Sequence, residues 1–161
     1  MGYTHYIDRP VDNSGTPEQF IKLALDAKRI IEQAKADGIR VRGGDGLGEP
    51  EFNEAFFSIN GDAESFFEGR DLAHETFYWA GQPKHQEWRV GEPNYFNFCK
   101  TAYKPYDAVV TAILIRAKVT YGDSVQIRSD GDWSDWQSGR DLYEKVFGEV
   151  AECPFERAVA Q

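Results

Sequence analysis

Two stretches with helical apolar spacing, 17–38 and 105–122, are separated by a run of short, aromatic, β-prone segments with no helical pattern between them. Strands that follow one another without a crossover helix pair antiparallel, because a parallel pair needs a long connection. The order of segments therefore predicts an α+β fold, a mainly antiparallel sheet with two long helices and one short C-terminal helix packed on it. The expected order is β-α-β-β-β-β-α-β-α, with strands over 3–7, 39–42, 55–59, 74–79, 95–99 and 124–128.

Local signals place the helices. Thr16-Pro17-Glu18-Gln19 is a helix start, with Thr16 as cap, Pro17 in the first turn and Gln19 completing a capping box. Phe20, Leu23, Ala24, Ala27, Ile30, Ile31 and Ala34 then form the apolar stripe, leaving Lys22, Asp26, Arg29 and Lys35 outside, and Gly38 ends the helix. Pro105 opens a second helix that is apolar on most sides and stops at Gly122. Ser138 is expected to cap the third, which packs Leu142, Val146 and Phe147 and stops at Gly148. Gly43–Gly48 reads as a flexible connection, because no Gly-Lys-Ser/Thr and no helix follow it. The expected organisation is one domain over 1–148 and a loosely attached tail over 149–161.

A chain of 161 residues with 41% hydrophobic residues can bury one good core. Its 4 Trp, 8 Tyr and 11 Phe exceed what that core needs, so some are expected to line a cleft or contact surface. No apolar run is long enough to span a membrane. The first residues lack the pattern of a signal peptide, and Tyr6 replaces the Ser or Thr that myristoylation requires. Two cysteines, Cys99 and Cys153, are too few for a disulfide framework, so a reducing cytoplasm is the expected setting.

The net charge of −9 is unevenly spread. Residues 45–75 carry nine acids against one base, Arg70, whereas 96–120 hold Lys100, Lys104, Arg116 and Lys118 against Asp107. The acidic excess argues against duplex DNA, which needs a basic stripe. It also gives the chain a face, 45–75, suited to a basic protein partner.

The stretch most suggestive of chemistry is Phe98-Cys99-Lys100-Thr101-Ala102-Tyr103-Lys104-Pro105-Tyr106-Asp107. Lysines beside a helix N-terminus are unusual, since its N–H groups and dipole favour anions. A phosphate docked on Lys100, Thr101 and Lys104, with Tyr106 alongside, would account for them. Lysines pointing into solvent, with Asp107 alone at the helix start, would account for them as well. Trp133 and Trp136 offer a wall for a planar base, or a cover for one end of the core. His5 and His74 supply polar contacts within the same ligand-binding set. His74 and Cys99 are the candidates for catalysis, as base and nucleophile, although a cysteine in an aromatic run is more often a small buried hydrophobe. His74-Glu75-Thr76 has the His-x-Thr form of two-histidine phosphoesterases but lacks a second copy. No spacing suits zinc, and Asp130-Gly131-Asp132 lacks the rest of a calcium loop. No metal and no cofactor are expected.

Met-Gly-Tyr-Thr-His-Tyr at 1–6, Asn60-Gly61-Asp62, His74-Glu75-Thr76-Phe77, the 98–107 block and Ser129-Asp130-Gly131-Asp132 with Trp136 together resemble a group of small proteins encoded by bacteriophages and related mobile elements. The resemblance spans most of 1–148 and implies a phage setting in a host cytoplasm, with no reaction attached. Small phage accessory proteins often antagonise host defence. Three readings follow. The first is non-enzymatic sequestration of a phosphate-bearing small molecule such as a nucleotide. The second is an acidic inhibitor that binds a host protein through 45–75. The third is a nucleotide-directed phosphoesterase or hydrolase.

Overall fold

A computed structural model of the chain describes residues 3–12 and 14–155. Met1, Gly2, Asn13 and the last part of the expected tail, 156–161, lie outside the described residues. The strands are β1 (Thr4–Pro10), β2 (Glu51–Phe52), β3 (Phe56–Ile59), β4 (Phe66–Phe67), β5 (Arg70–Asp71), β6 (Phe77–Ala80), β7 (Asn94–Lys100) and β8 (Gln126–Ser129). The helices are α1 (Pro17–Ala36), α2 (Asp107–Tyr121) and α3 (Gln137–Phe147). The fold is α+β, and every pairing between named strands is antiparallel.

The strands form two three-stranded sheets and one hairpin. In the first sheet β1 lies between β7 and β8, with His5 opposite Cys99 on one side and Ser129 on the other. In the second, β3 lies between β2 and β6. Asn97 ties the sheets together, donating from Nδ2 to the Tyr78 carbonyl at 2.7 Å. The core under them joins Ile7, Phe57, Ile59, Phe77 and Ile127 to the buried faces of the helices.

The start of α1 follows the sequence reading. Thr16 Oγ1 accepts from Gln19 N at 3.2 Å and Gln19 Oε1 accepts from Thr16 N at 2.8 Å. Its buried face is Phe20, Leu23, Ala27, Ile30 and Ala34. Asp26 departs from expectation, being buried against α2 where its carboxylate accepts from Arg116 Nε at 2.8 Å. α2 is central, with Val109 to Ile115 all fully buried. α3 closes on α2 through Gly139, where any side chain would collide with Thr111 Oγ1. Close helix contact of this kind requires a missing Cβ.

Other elements differ from expectation for identifiable reasons. In 39–42 only Arg42 forms a bridge, to Asn60, because Ile39 N still bonds back to Ala34 O at the helix end. Residues 74–76 are outside β6. The Asn60 side chain takes both main-chain groups of His74, each at 3.0 Å, so the backbone pairs with a side chain instead of a ladder. Ser138 does not cap the third helix, whose N-cap is Trp136 and carries no side-chain cap bond. Asp132 and Asp135 form a capping box on a 3₁₀ turn, Trp133–Trp136, which runs into α3. The described part of the tail is not loose: Ala151 and Pro154 are buried, and the Phe155 ring meets Trp136 edge-on at 4.8 Å. Burying three apolar side chains outweighs the entropy of ordering a short segment. Among the described residues no helix is long and apolar enough to cross a membrane.

Candidate functional site

The residues expected to bind a ligand gather at the head of α2, but they form a sealed joint. Asp107 Oδ1 is 2.6 Å from His5 Nε2 and accepts from Thr101 Oγ1 at 2.6 Å. His5 Nδ1 lies 2.9 Å from Ser129 Oγ. A carboxylate only accepts, so its distance to Nε2 assigns the proton there and leaves Nδ1 to accept from the serine hydroxyl. Ser129 Oγ in turn accepts from Trp136 Nε1 at 3.2 Å and from Gly131 N at 3.0 Å. Serine, histidine and aspartate stand here in the order a hydrolase uses. Yet His5 is 0% exposed, and both lone pairs of the serine oxygen are occupied. A nucleophile needs a free lone pair facing substrate, so the geometry fits a structural lock that fastens β1 and β8 to α2.

The basic residues are also engaged. Lys104 Nζ donates to the carbonyls of Asp71 at 2.7 Å and Ala73 at 2.6 Å, with the Asp71 carboxylate 3.7 Å away. Tyr106 is buried, and its hydroxyl donates to Glu75 O at 2.7 Å. Burial pushes that phenol well above its ordinary range. Lys100 N donates to the Glu75 carboxylate at 2.8 Å. The first N–H groups of α2 bond to Lys104, Pro105 and Tyr106 carbonyls. The expected phosphate cradle is therefore corrected: the N–H groups and one of the two lysines already have partners within the fold.

The catalytic candidates do not form a dyad. Cys99 is buried and faces Glu75 O at 3.6 Å, and burial raises its thiol pKa, the opposite of what a nucleophile requires. His74 is exposed, and no hydrogen bond joins its ring to Cys99 among the described residues. The indoles make no open wall. Trp136 is fully buried, and Trp133 is half-buried between Phe155 and the Arg140 guanidinium, which lies 4.4 Å from its ring centre. No group of three or more His, Cys, Asp or Glu among the described residues is placed to hold a metal.

Open space lies elsewhere. A groove of about 660 Å³ runs between α1, the β2–β3 turn and residues 81–84. Phe20, Ile21, Ala24 and Leu25 form one wall, and Phe52 and Ala55 the other. Ile21 and Leu25 are each 56% exposed, one turn apart on a face otherwise polar. Gly81 lets the chain cross Phe20, since a Cβ there would stand 3.1 Å from the ring. Lys28 Nζ sits 5.0 Å over the Phe52 ring, and Lys84 lies at the rim with Gln82 and Asn53. The lining holds no His, Cys, Ser, Thr or Tyr. This volume falls in the range of small-molecule sites. The helical reading missed it, although Ile21 and Leu25, spaced by four residues outside the buried stripe, were its sequence signal.

A second unexpected feature stands within the acidic stretch. Asp62, fully buried, anchors a hairpin: it accepts from Ser65 Oγ at 2.6 Å, Glu64 N at 3.0 Å and Arg42 Nε at 3.3 Å. The Ser65 hydroxyl first, then the Glu64 N–H and Arg42, hold its carboxyl below the usual range. β4 and β5 then project around a turn in which Glu68 and Gly69 both have positive φ, at 53° and 79°. Successive strand residues point to opposite faces, yet Phe66 and Phe67 are 66% and 69% exposed. Neither face of the hairpin is covered. Compared with protein-family models, with curated proteins and with solved structures, the chain matches none.

Proposed function

We propose that this protein binds, without transforming it, a phosphate-bearing small molecule with a planar or apolar body, such as a nucleotide, in the groove beside α1. The observation that carries this reading is the pairing of an aromatic and aliphatic lining, Phe20, Ile21 and Phe52, with two lysines, Lys28 and Lys84. The rings would take the body by stacking and burial, and the lysines the phosphate. The lining offers no hydroxyl, thiol or imidazole, which favours sequestration over turnover. In the phage setting implied by the resemblance, removal of a nucleotide signal from a host cytoplasm would serve to antagonise defence.

Calorimetry and thermal shift against mono-, di- and cyclic nucleotides test the proposal. A ligand at a hundred times its Kd should stabilise the fold by about 2.7 kcal/mol, and should be recovered unchanged after long incubation. Lys28→Ala with Lys84→Ala should abolish the shift while the unliganded melting temperature stays in place. No stabilisation by any nucleotide at millimolar concentration would reject it.

The exposed pair Phe66 and Phe67 favours a second reading, a protein-binding inhibitor. Two aromatic side chains on an exposed hairpin amid Glu64, Glu68 and Asp71 suit an apolar pocket with a basic rim. Host proteins retained by the wild type and lost on Phe66→Ser with Phe67→Ser would support it. Retention of the same proteins by that variant would exclude the hairpin.

A further inference from the structure

Arg9 is a buried cation with no ion-pair partner among the described residues. Its side chain is 1% exposed near the end of β1, and Nη1 donates to Ala80 O at 2.6 Å. Nε and Nη2 have no partner among the described residues. Burial lowers its pKa to about 10, which leaves it charged at neutral pH. No carboxylate among the described residues pairs with it.

The surroundings are rich in donors. The guanidinium Cζ lies 4.3 Å from the Trp79 ring centre and 5.2 Å from that of Tyr121, with the rings 5.5 Å apart. Trp79 Nε1 lies near the Tyr121 hydroxyl, short of a hydrogen bond, and both atoms are buried and unpartnered. Ser14 Oγ is in the same condition, and its neighbour Gly15 runs so close to Tyr121 that a Cβ would stand 2.6 Å from Cε1. Indole and guanidinium N–H groups only donate. A single water accepts about two hydrogen bonds and carries no charge, so it answers neither the number of donors nor the uncompensated cation.

From this convergence we propose that Arg9, Trp79, Tyr121 and Ser14 form a buried site for a small monovalent anion, of the size of chloride or formate. The enclosing side chains are at most 5% exposed, so an occupant would be shielded from bulk water. A halide accepts from several donors at once, and formate offers two oxygens to the Nε–Nη2 edge of the guanidinium. None of these four residues lines the α1 groove, so this inference stands apart from the reading given above.

Bromide, nitrate and formate titrated against gluconate at constant ionic strength provide the test, read by melting temperature. The wild type should show a saturable rise with at least one of the three. Arg9→Met should lose the rise entirely, and Tyr121→Phe, which removes one donor, should weaken the apparent affinity about twofold to tenfold. Crystals grown in bromide should show an anomalous peak within hydrogen-bonding reach of Arg9 Nε or Nη2. If Arg9→Met does not fold, Tyr121→Phe and the bromide map decide. Equal responses in wild type and variants, or a bromide map with only water at Arg9, would overturn the site.

Discussion

The joint at the head of α2 and the side chains around Arg9 are both polar clusters buried at the first sheet, and they are built in opposite ways. At the joint, His5, Asp107, Thr101 and Ser129 close a chain in which each proton has an acceptor. Around Arg9, donors outnumber acceptors and one positive charge stands without an ion-pair partner among the described residues. A closed polar network contributes stability and a unique arrangement; an open one leaves a function for something outside the chain. Residues that read as reactive in the sequence therefore serve the fold here, and a residue with no motif around it is the one left incomplete.

Substitutions can break this contrast. Asp107→Ala should be the most damaging, because it leaves His5 Nε2 and Thr101 Oγ1 buried without an acceptor; a loss of about 3–5 kcal/mol is expected by urea denaturation. Tyr106→Phe removes one buried donor to Glu75 O and should cost about 1–2 kcal/mol in the same assay. Arg9→Met, measured in gluconate, should change stability by less than about 1 kcal/mol, since an unpaired buried charge gives way to apolar bulk. A loss at Arg9 as large as that at Asp107 would erase the distinction between the two clusters. Phe66→Ser with Phe67→Ser should fall within about 0.5 kcal/mol per site, as for other exposed positions.

Acid sharpens the comparison from another side. The folded-state pKa of Asp62 lies below its unfolded value, so its contribution is present above the ordinary carboxylate range and is lost as pH falls through the folded value. Urea midpoints for wild type should thus decline on acidification below that range, and Asp62→Asn should flatten the decline. An identical slope in both proteins would show that the hairpin base contributes no acid sensitivity.

Local grammar in the sequence was legible. The capping box at Thr16 and Gln19, the nearly all-apolar α2 and the stop at Gly148 each depend on neighbours within a turn or two. So did the α+β class, which rests on the succession of strands. What failed depended on distant partners. Lys104 looked free because its carbonyl acceptors lie 33 and 31 residues upstream. His74 left its strand because Asn60, 14 residues away, took its backbone. Phe155 found Trp136 across the fold. The α1 groove was recoverable from Ile21 and Leu25, while the Arg9 cluster carries no sequence signature, because its members come from β1, the segment before α1, β6 and the end of α2.

The central place of β1 has a kinetic consequence. This strand precedes both of its partners in the chain, β7 by about ninety residues and β8 by more, with His5 facing Ser129 across a separation of 124. Until β8 is synthesised, both of its hydrogen-bonding edges cannot be filled from its own sheet. The nascent chain must carry an aromatic strand with an open edge until β8 has followed it, and closure of the first sheet becomes a non-local event. Refolding from urea should accordingly be slow for a chain of this size, and the transit of β1 from open edge to sheet centre should set its pace.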